Sequence, residues 1–142
     1  MDDTQRRAIE WDVTRLIHDY VNRNDAQDWE AVAALYTEDG TLRRPSGGGP
    51  VQGREAILAA FVARPPRAQR HVIANTVVDV VSQTEATAFS VIVLYMGDAA
   101  DDGGLPSKAA NSPLIGTFTD RVVLTDNGWR FAERLGGLDF RP

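Results

Sequence analysis

RHVIANTVVDVVSQTEATAFSVIVLYM, residues 70–96, is the stretch on which the fold turns. Val72 to Val81 and Ala86 to Met96 are dense in β-branched residues, and Ser82-Gln83-Thr84-Glu85 between them reads as a turn. Two long antiparallel strands are expected. Downstream, Leu114 to Leu124 and Trp129 to Leu135 repeat the pattern around Asp126-Asn127-Gly128, and the Asn-Gly step favours a tight hairpin. Residues 98–111, DAADDGGLPSKAAN, read as a long loop between the two pairs.

Upstream the period changes from two to that of a helix. Over residues 4–23, Ile9, Val13, Leu16, Ile17 and Tyr20, with Asn24 just beyond, fall on one face, while Thr14, Arg15, His18 and Asn22 fall on the other. His18 is therefore expected in solvent. Asn24-Asp25 breaks this helix. A second helix is expected over about 27–36, with Trp29, Val32, Ala33, Leu35 and Tyr36 turned inward, ending at Glu38-Asp39-Gly40. Thr41 to Arg44 makes a short strand, and residues 45–50 a Gly/Pro loop. A third helix over about 53–62 buries Ile57, Leu58 and Phe61, and Pro65-Pro66 closes it. Helices packed on one face of a mainly antiparallel sheet give an α+β domain, and 142 residues leave room for one domain only.

Composition narrows the chemistry. The net charge is −5 and the arginines are scattered, so the basic footprint of a nucleic-acid partner is lacking. With no cysteine there is no disulfide, thiolate metal site or cysteine nucleophile. The charged N-terminus lacks the apolar core of a signal peptide, and no apolar run approaches the roughly 18 residues of a membrane span. A cytoplasmic protein without a membrane partner is expected. Gly47-Gly48-Gly49 lacks the strand–turn–helix context of a dinucleotide loop. Asp98, Asp101 and Asp102 lack the spacing of a calcium loop. No metal or cofactor is expected.

Two residues stand out. His71 opens the first long strand, and imidazole is the side chain whose ordinary pKa lies nearest neutrality. Asp25 sits at the helix break, where a carboxylate could orient that ring. Each has a plainer reading. Asp25 followed by Asp28 resembles a helix cap with an acidic third residue, and a histidine at a strand start often bonds a backbone carbonyl. If His71 faces a pocket, strand alternation brings Ile73 and Asn75 with it. On the last strand Arg130, Ala132 and Arg134 would share a face, where Arg134 either binds an anion or makes a surface ion pair.

YVNRNDAQDWEAVAALYTEDG (20–40), GREAILAAF (53–61), RHVIAN (70–75) and IGTFTDRVVLTDNGWRFAERL (115–135) together resemble the SnoaL-like branch of the NTF2-like superfamily. The resemblance implies a cone, with a strongly curved sheet wrapped around a deep pocket behind three helices. It is strongest to the small lyases: scytalone dehydratase, hexachlorocyclohexane dehydrochlorinase and bile-acid 7α-dehydratase. They share an Asp–His pair in which the histidine removes a proton during elimination. By this resemblance Asp25 and His71 are the pair, Tyr20 donates to a substrate oxygen and Arg134 stabilises developing charge. Asn75, Tyr36, Met96, Phe118 and Asp120 would contact substrate.

There are departures. Met96 stands where scytalone dehydratase has a second histidine, and Phe118 where it has an asparagine, so scytalone is not the expected substrate. Leu135 replaces the acid of the polyketide cyclases, and the strand around Ile92 to Leu94 lacks the arginine of the epoxide hydrolases. The implied activity is cofactor-independent elimination on a small hydrophobic, cyclic substrate. A cyclase or isomerase, or a non-catalytic binding protein, stands as the alternative. The same resemblance implies a homo-oligomer, a dimer or a trimer, packed through the outer sheet face, where Phe89, Val91, Val93 and Tyr95 would form an apolar row if Met96 faces inward.

Overall fold

A reciprocal cap starts the first helix, α1 (Asp3–Asp25): the Asp2 carboxylate accepts from the Gln5 N–H at 2.8 Å, and the Gln5 side chain accepts from the Asp2 N–H at 3.1 Å. The computed structural model describes residues 1–99, 104–109 and 112–141. Asp101 and Asp102, with part of the loop expected over 98–111, lie outside the described residues. Along α1 the apolar stripe is buried as its spacing requires, from Ile9 through Val13, Leu16 and Ile17 to Tyr20, and His18 is exposed.

The second helix is shorter than expected. α2 (Trp29–Ala33) is capped by Asp28, whose side chain accepts from the Ala31 N–H at 3.2 Å. Tyr36 does not end it but begins β1 (Tyr36–Arg43). The cause is tertiary. The Phe131 N–H donates to the Leu35 carbonyl at 2.8 Å, and Tyr36 lies opposite Phe131, so the sheet takes this backbone from the helix. After β2 (Val51–Gln52), α3 (Arg54–Val62) buries Ile57 and Phe61, one helical turn apart, while Leu58 is half-buried.

Four long strands complete the chain: β3 (Arg67–Ser82), β4 (Glu85–Asp98), β5 (Leu114–Thr125) and β6 (Gly128–Phe140). The sheet order is β2-β1-β6-β5-β4-β3. Neighbours are antiparallel except β1, which runs parallel to β6. The sheet curves round the helices, giving the α+β cone that the sequence implied. Its concave side carries the core, where Ile92, Phe118, Val122 and Phe131 meet the α1 stripe. Burying each side chain of this size stabilises the fold by roughly 1.5–3 kcal/mol. No helix among the described residues is long and apolar enough to cross a membrane.

Two bulges overturn the simple alternation. On β3 the pairing shifts between Ala74 and Val77, so Asn75 and Thr76 together oppose Ser90. Asn75 takes φ 49°, which asparagine tolerates better than most residues, and its side chain is exposed. Ile73 packs on the core before the bulge, and Val78 and Val80 do so after it. On β6 the shift falls at Ala132. Trp129 and Phe131 face inward before it, Arg134 and Gly136 after it. Arg130 and Arg134 therefore do not share a face as alternation predicted.

Candidate active site

Asp25 is the last residue of α1, and α1 lies against the start of β3. Its carboxylate meets His71 twice. Oδ1 lies 2.5 Å from the ring Nδ1, and Oδ2 accepts the His71 backbone N–H at 2.8 Å. Gln69 Nε2 reaches the same Oδ1 at 3.4 Å and bonds Asn24 Oδ1 at 2.7 Å; Arg70 stands 3.7 Å from Oδ2. The Asp25 side chain is 2% exposed and that of His71 11%. Asp25 is thus no helix cap, a task that falls to Asp28. A carboxylate accepts only, so Nδ1 carries the proton of a neutral ring and Nε2 keeps its lone pair.

His71 lines a cavity of about 150 Å³ between α1, α3 and the concave sheet. Tyr20 and Phe61 close it from the helix side, Leu94, Met96 and Phe118 from the sheet. Apolar atoms supply most of the lining surface, as in small-molecule sites, although seven of its fifteen residues are polar or charged. A wider groove of about 850 Å³ between α2 and α3 is open to solvent and touches neither Asp25 nor His71.

The other expected site residues divide by position. Tyr20, Met96 and Phe118 line the cavity with His71. Tyr36 lies behind Tyr20, with the two hydroxyls 2.7 Å apart. Burial pushes the Tyr20 hydroxyl above the usual tyrosine pKa, and Tyr36 well above it. Arg134 and Asp120 do not reach the cavity lining. They form a bidentate pair, Nε to Oδ1 at 2.9 Å and Nη2 to Oδ2 at 3.1 Å, with both side chains at 0% exposure. The guanidinium is packed among the rings of Tyr20, Phe118 and Phe131 at 3.9–4.4 Å. Burial raises the Asp120 pKa against the pull of Arg134. This pair braces the cavity wall rather than facing substrate. Asn75, turned out by its bulge, is not brought to the cavity at all.

Several lining residues were not anticipated. Asn24 enters from the end of α1, and Arg44, Arg64 and Arg67 stand in the wall beside Pro45 and Ser46. Only Arg67 carried a usable signal, since positions 67, 69 and 71 share one strand face. Arg44 and Arg64 come from separate loops that only the fold brings together.

Comparison with known proteins agrees with this architecture. The family model of the SnoaL-like domain matches residues 5–135. No curated protein sequence matches the chain. Among solved structures, a provisionally assigned scytalone dehydratase from Novosphingobium aromaticivorans DSM 12444 is 26% identical, with TM-score 0.80 over 99% of this chain and 89% of that one. Rv3472, a function-unknown protein from Mycobacterium tuberculosis, is also 26% identical, with TM-score 0.75 over 99% and 78%. A type 2 hexachlorocyclohexane dehydrochlorinase (LinA) shares the fold at 17% identity, with TM-score 0.81 over 98% and 90%.

Proposed function

The chain belongs to the SnoaL-like domain family of the NTF2-like superfamily, and we propose that it is a small-molecule lyase of dehydratase type. One observation carries this reading: His71, held at Nδ1 by a buried Asp25, lines the cavity, which leaves Nε2 as the nitrogen for substrate. In the proposed step Nε2 takes a proton from a substrate carbon next to a carbonyl. The freed electron pair becomes the new C=C bond as the C–O bond on the next carbon breaks, and the His71 imidazolium returns its proton to the departing hydroxyl, which leaves as water. Asp25 stabilises the imidazolium formed. General base catalysis of this kind contributes roughly 10²–10⁴-fold.

Tyr20 is the candidate donor to the substrate oxygen. If Tyr36 donates to the Tyr20 oxygen, the Tyr20 proton is free to point into the cavity. Both phenols stay neutral because burial disfavours the phenolate. A cavity of about 150 Å³ suits a body of one ring. The dehydratase and dehydrochlorinase names among the structural neighbours fit elimination. None of these steps draws on a metal or organic cofactor.

A cyclase or isomerase would use the same base without a leaving group, and a binding protein would leave the substrate unchanged. A panel of cyclic β-hydroxy ketones, followed by proton NMR, separates these outcomes. Loss of water supports the lyase, rearrangement without loss supports the isomerase, and bound but unaltered ligand supports the binding protein. As partner we propose a second copy of the chain on the outer sheet face. There Phe89 and Tyr95 are 44% and 47% exposed, and Val77 lies opposite Phe89. Light scattering on the protein and on Phe89→Glu tests it; a monomeric unsubstituted protein contradicts it.

A further inference from the structure

Arg44, Arg64 and Arg67 line one wall of the cavity that holds His71, and none of the three has a carboxylate partner among the described residues. Their placement is built. Arg64 lies over the Phe61 ring at 4.5 Å and the Trp29 ring at 5.9 Å, and those two rings stack on each other. A guanidinium held by its flat face keeps its in-plane N–H donors available. Arg44 is tied by one bond, Nη2 to the Ala60 carbonyl at 2.8 Å, while its Nε is buried with no protein partner. Arg67 donates from Nε to Gln69 at 2.8 Å, and its own carbonyl is fixed by Gln27 at 2.7 Å.

Like charges so placed repel. Burial, and then the charges of Arg44 and Arg67, pull the Arg64 pKa down to about 10. Arg67 is lowered by burial and by Arg44, with Asp25 working the other way. The chain has a net charge of −5, yet among the described residues no carboxylate pairs with these guanidinium groups. Forked guanidinium donors match the geometry of an oxyanion.

We infer that the three arginines bind an anionic group of the substrate, a carboxylate or a phosphate, while the apolar cavity holds its ring next to His71. This rests on the cavity being the substrate site, as in the lyase reading. Arg67 and His71 share a strand face four residues apart, about 13 Å along the chain. The anionic group therefore sits several bonds from the carbon that loses its proton. It serves as a handle, binding substrate and transition state alike.

Calorimetric titration with benzoate, phenyl phosphate and benzamide tests the inference on the full chain. Benzoate or phenyl phosphate is expected to bind at least about tenfold more tightly than benzamide, a gap of roughly 1.4 kcal/mol. Whichever of the two anions binds tighter identifies the group. Arg64→Gln/Arg67→Gln should abolish the preference, bringing the anions and benzamide to the same affinity, whereas His71→Gln should retain it. Equal binding of the anions and the amide, a preference untouched by the arginine substitutions, or no binding of any probe would overturn it. Turnover is not read, so a failed lyase assay leaves this result standing, and loss of the anion preference leaves the role of His71 open to its own test.

Discussion

The Asp25 carboxylate grips His71 at two points, the ring Nδ1 at 2.5 Å and the backbone N–H at 2.8 Å. One side chain at the end of α1 thus fixes the start of β3 and the orientation of the imidazole standing on it. The backbone bond explains why a carboxylate buried to 2% exposure is tolerated: both oxygens are occupied, one by a charge-stabilising ring and one by an amide.

Nitrogen-15 NMR of the neutral His71 ring is expected to show the proton on Nδ1 and a bare Nε2. In Asp25→Asn the amide donates to Nδ1 and forces the proton to Nε2. Turnover should then fall by roughly 10²–10⁴ with the fold intact, because the base has lost its lone pair. A proton on Nε2 in the unsubstituted protein would remove His71 as the base.

Arg134→Met should destabilise the protein by about 3–5 kcal/mol, because it strands the buried Asp120. Asp120→Leu strands Arg134 to similar effect. The double substitution should cost less than the sum of the singles, since it leaves no uncompensated charge. Urea midpoints measured at constant slope report this. Simple additivity would show that the pair is not the unit of stability that its geometry describes.

Tyr20 and Tyr36 have folded-state pKa values above the ordinary 10.0, raised first by burial. The neutral phenols therefore contribute stability that is complete below pH 10 and declines as pH climbs through that value toward the folded-state values. Phenolate absorbance from this pair should appear only together with loss of the fold, and Tyr20→Phe/Tyr36→Phe should flatten the alkaline decline. Ionisation of both near pH 10 with the fold retained would contradict the buried arrangement.

Much of this architecture is legible in residue spacing. The α1 stripe, the β3–β4 hairpin and the Asn127-Gly128 turn all express a local period or turn chemistry. What escaped has non-local causes. Tyr36 continues a helical spacing, but the sheet claims its backbone through Phe131. The bulges at Asn75 and Ala132 each add one residue and reverse the faces beyond them, so Trp129 and Phe131 face the core on β6 and Arg130, unlike Arg134, does not. Asn75 offered a faint sign, as an asparagine within a run of β-branched residues. At Ala132 nothing local distinguishes the extra residue. Residue types and the resemblance gave the expectation of an Asp25–His71 pair, but the second bond to the His71 backbone depends on how α1 docks.

The most direct test of His71 as a proton-abstracting base is α-carbon deuteration and dehydration of β-hydroxycyclohexanone and related ring substrates in heavy water. Proton NMR compares the unsubstituted protein with His71→Ala, and circular dichroism verifies that both are folded. The unsubstituted protein is expected to exchange the α-proton and release water. His71→Ala should be slower by roughly 10²–10⁴. Equal rates in the two proteins on a substrate that the enzyme turns over would contradict the assignment of His71.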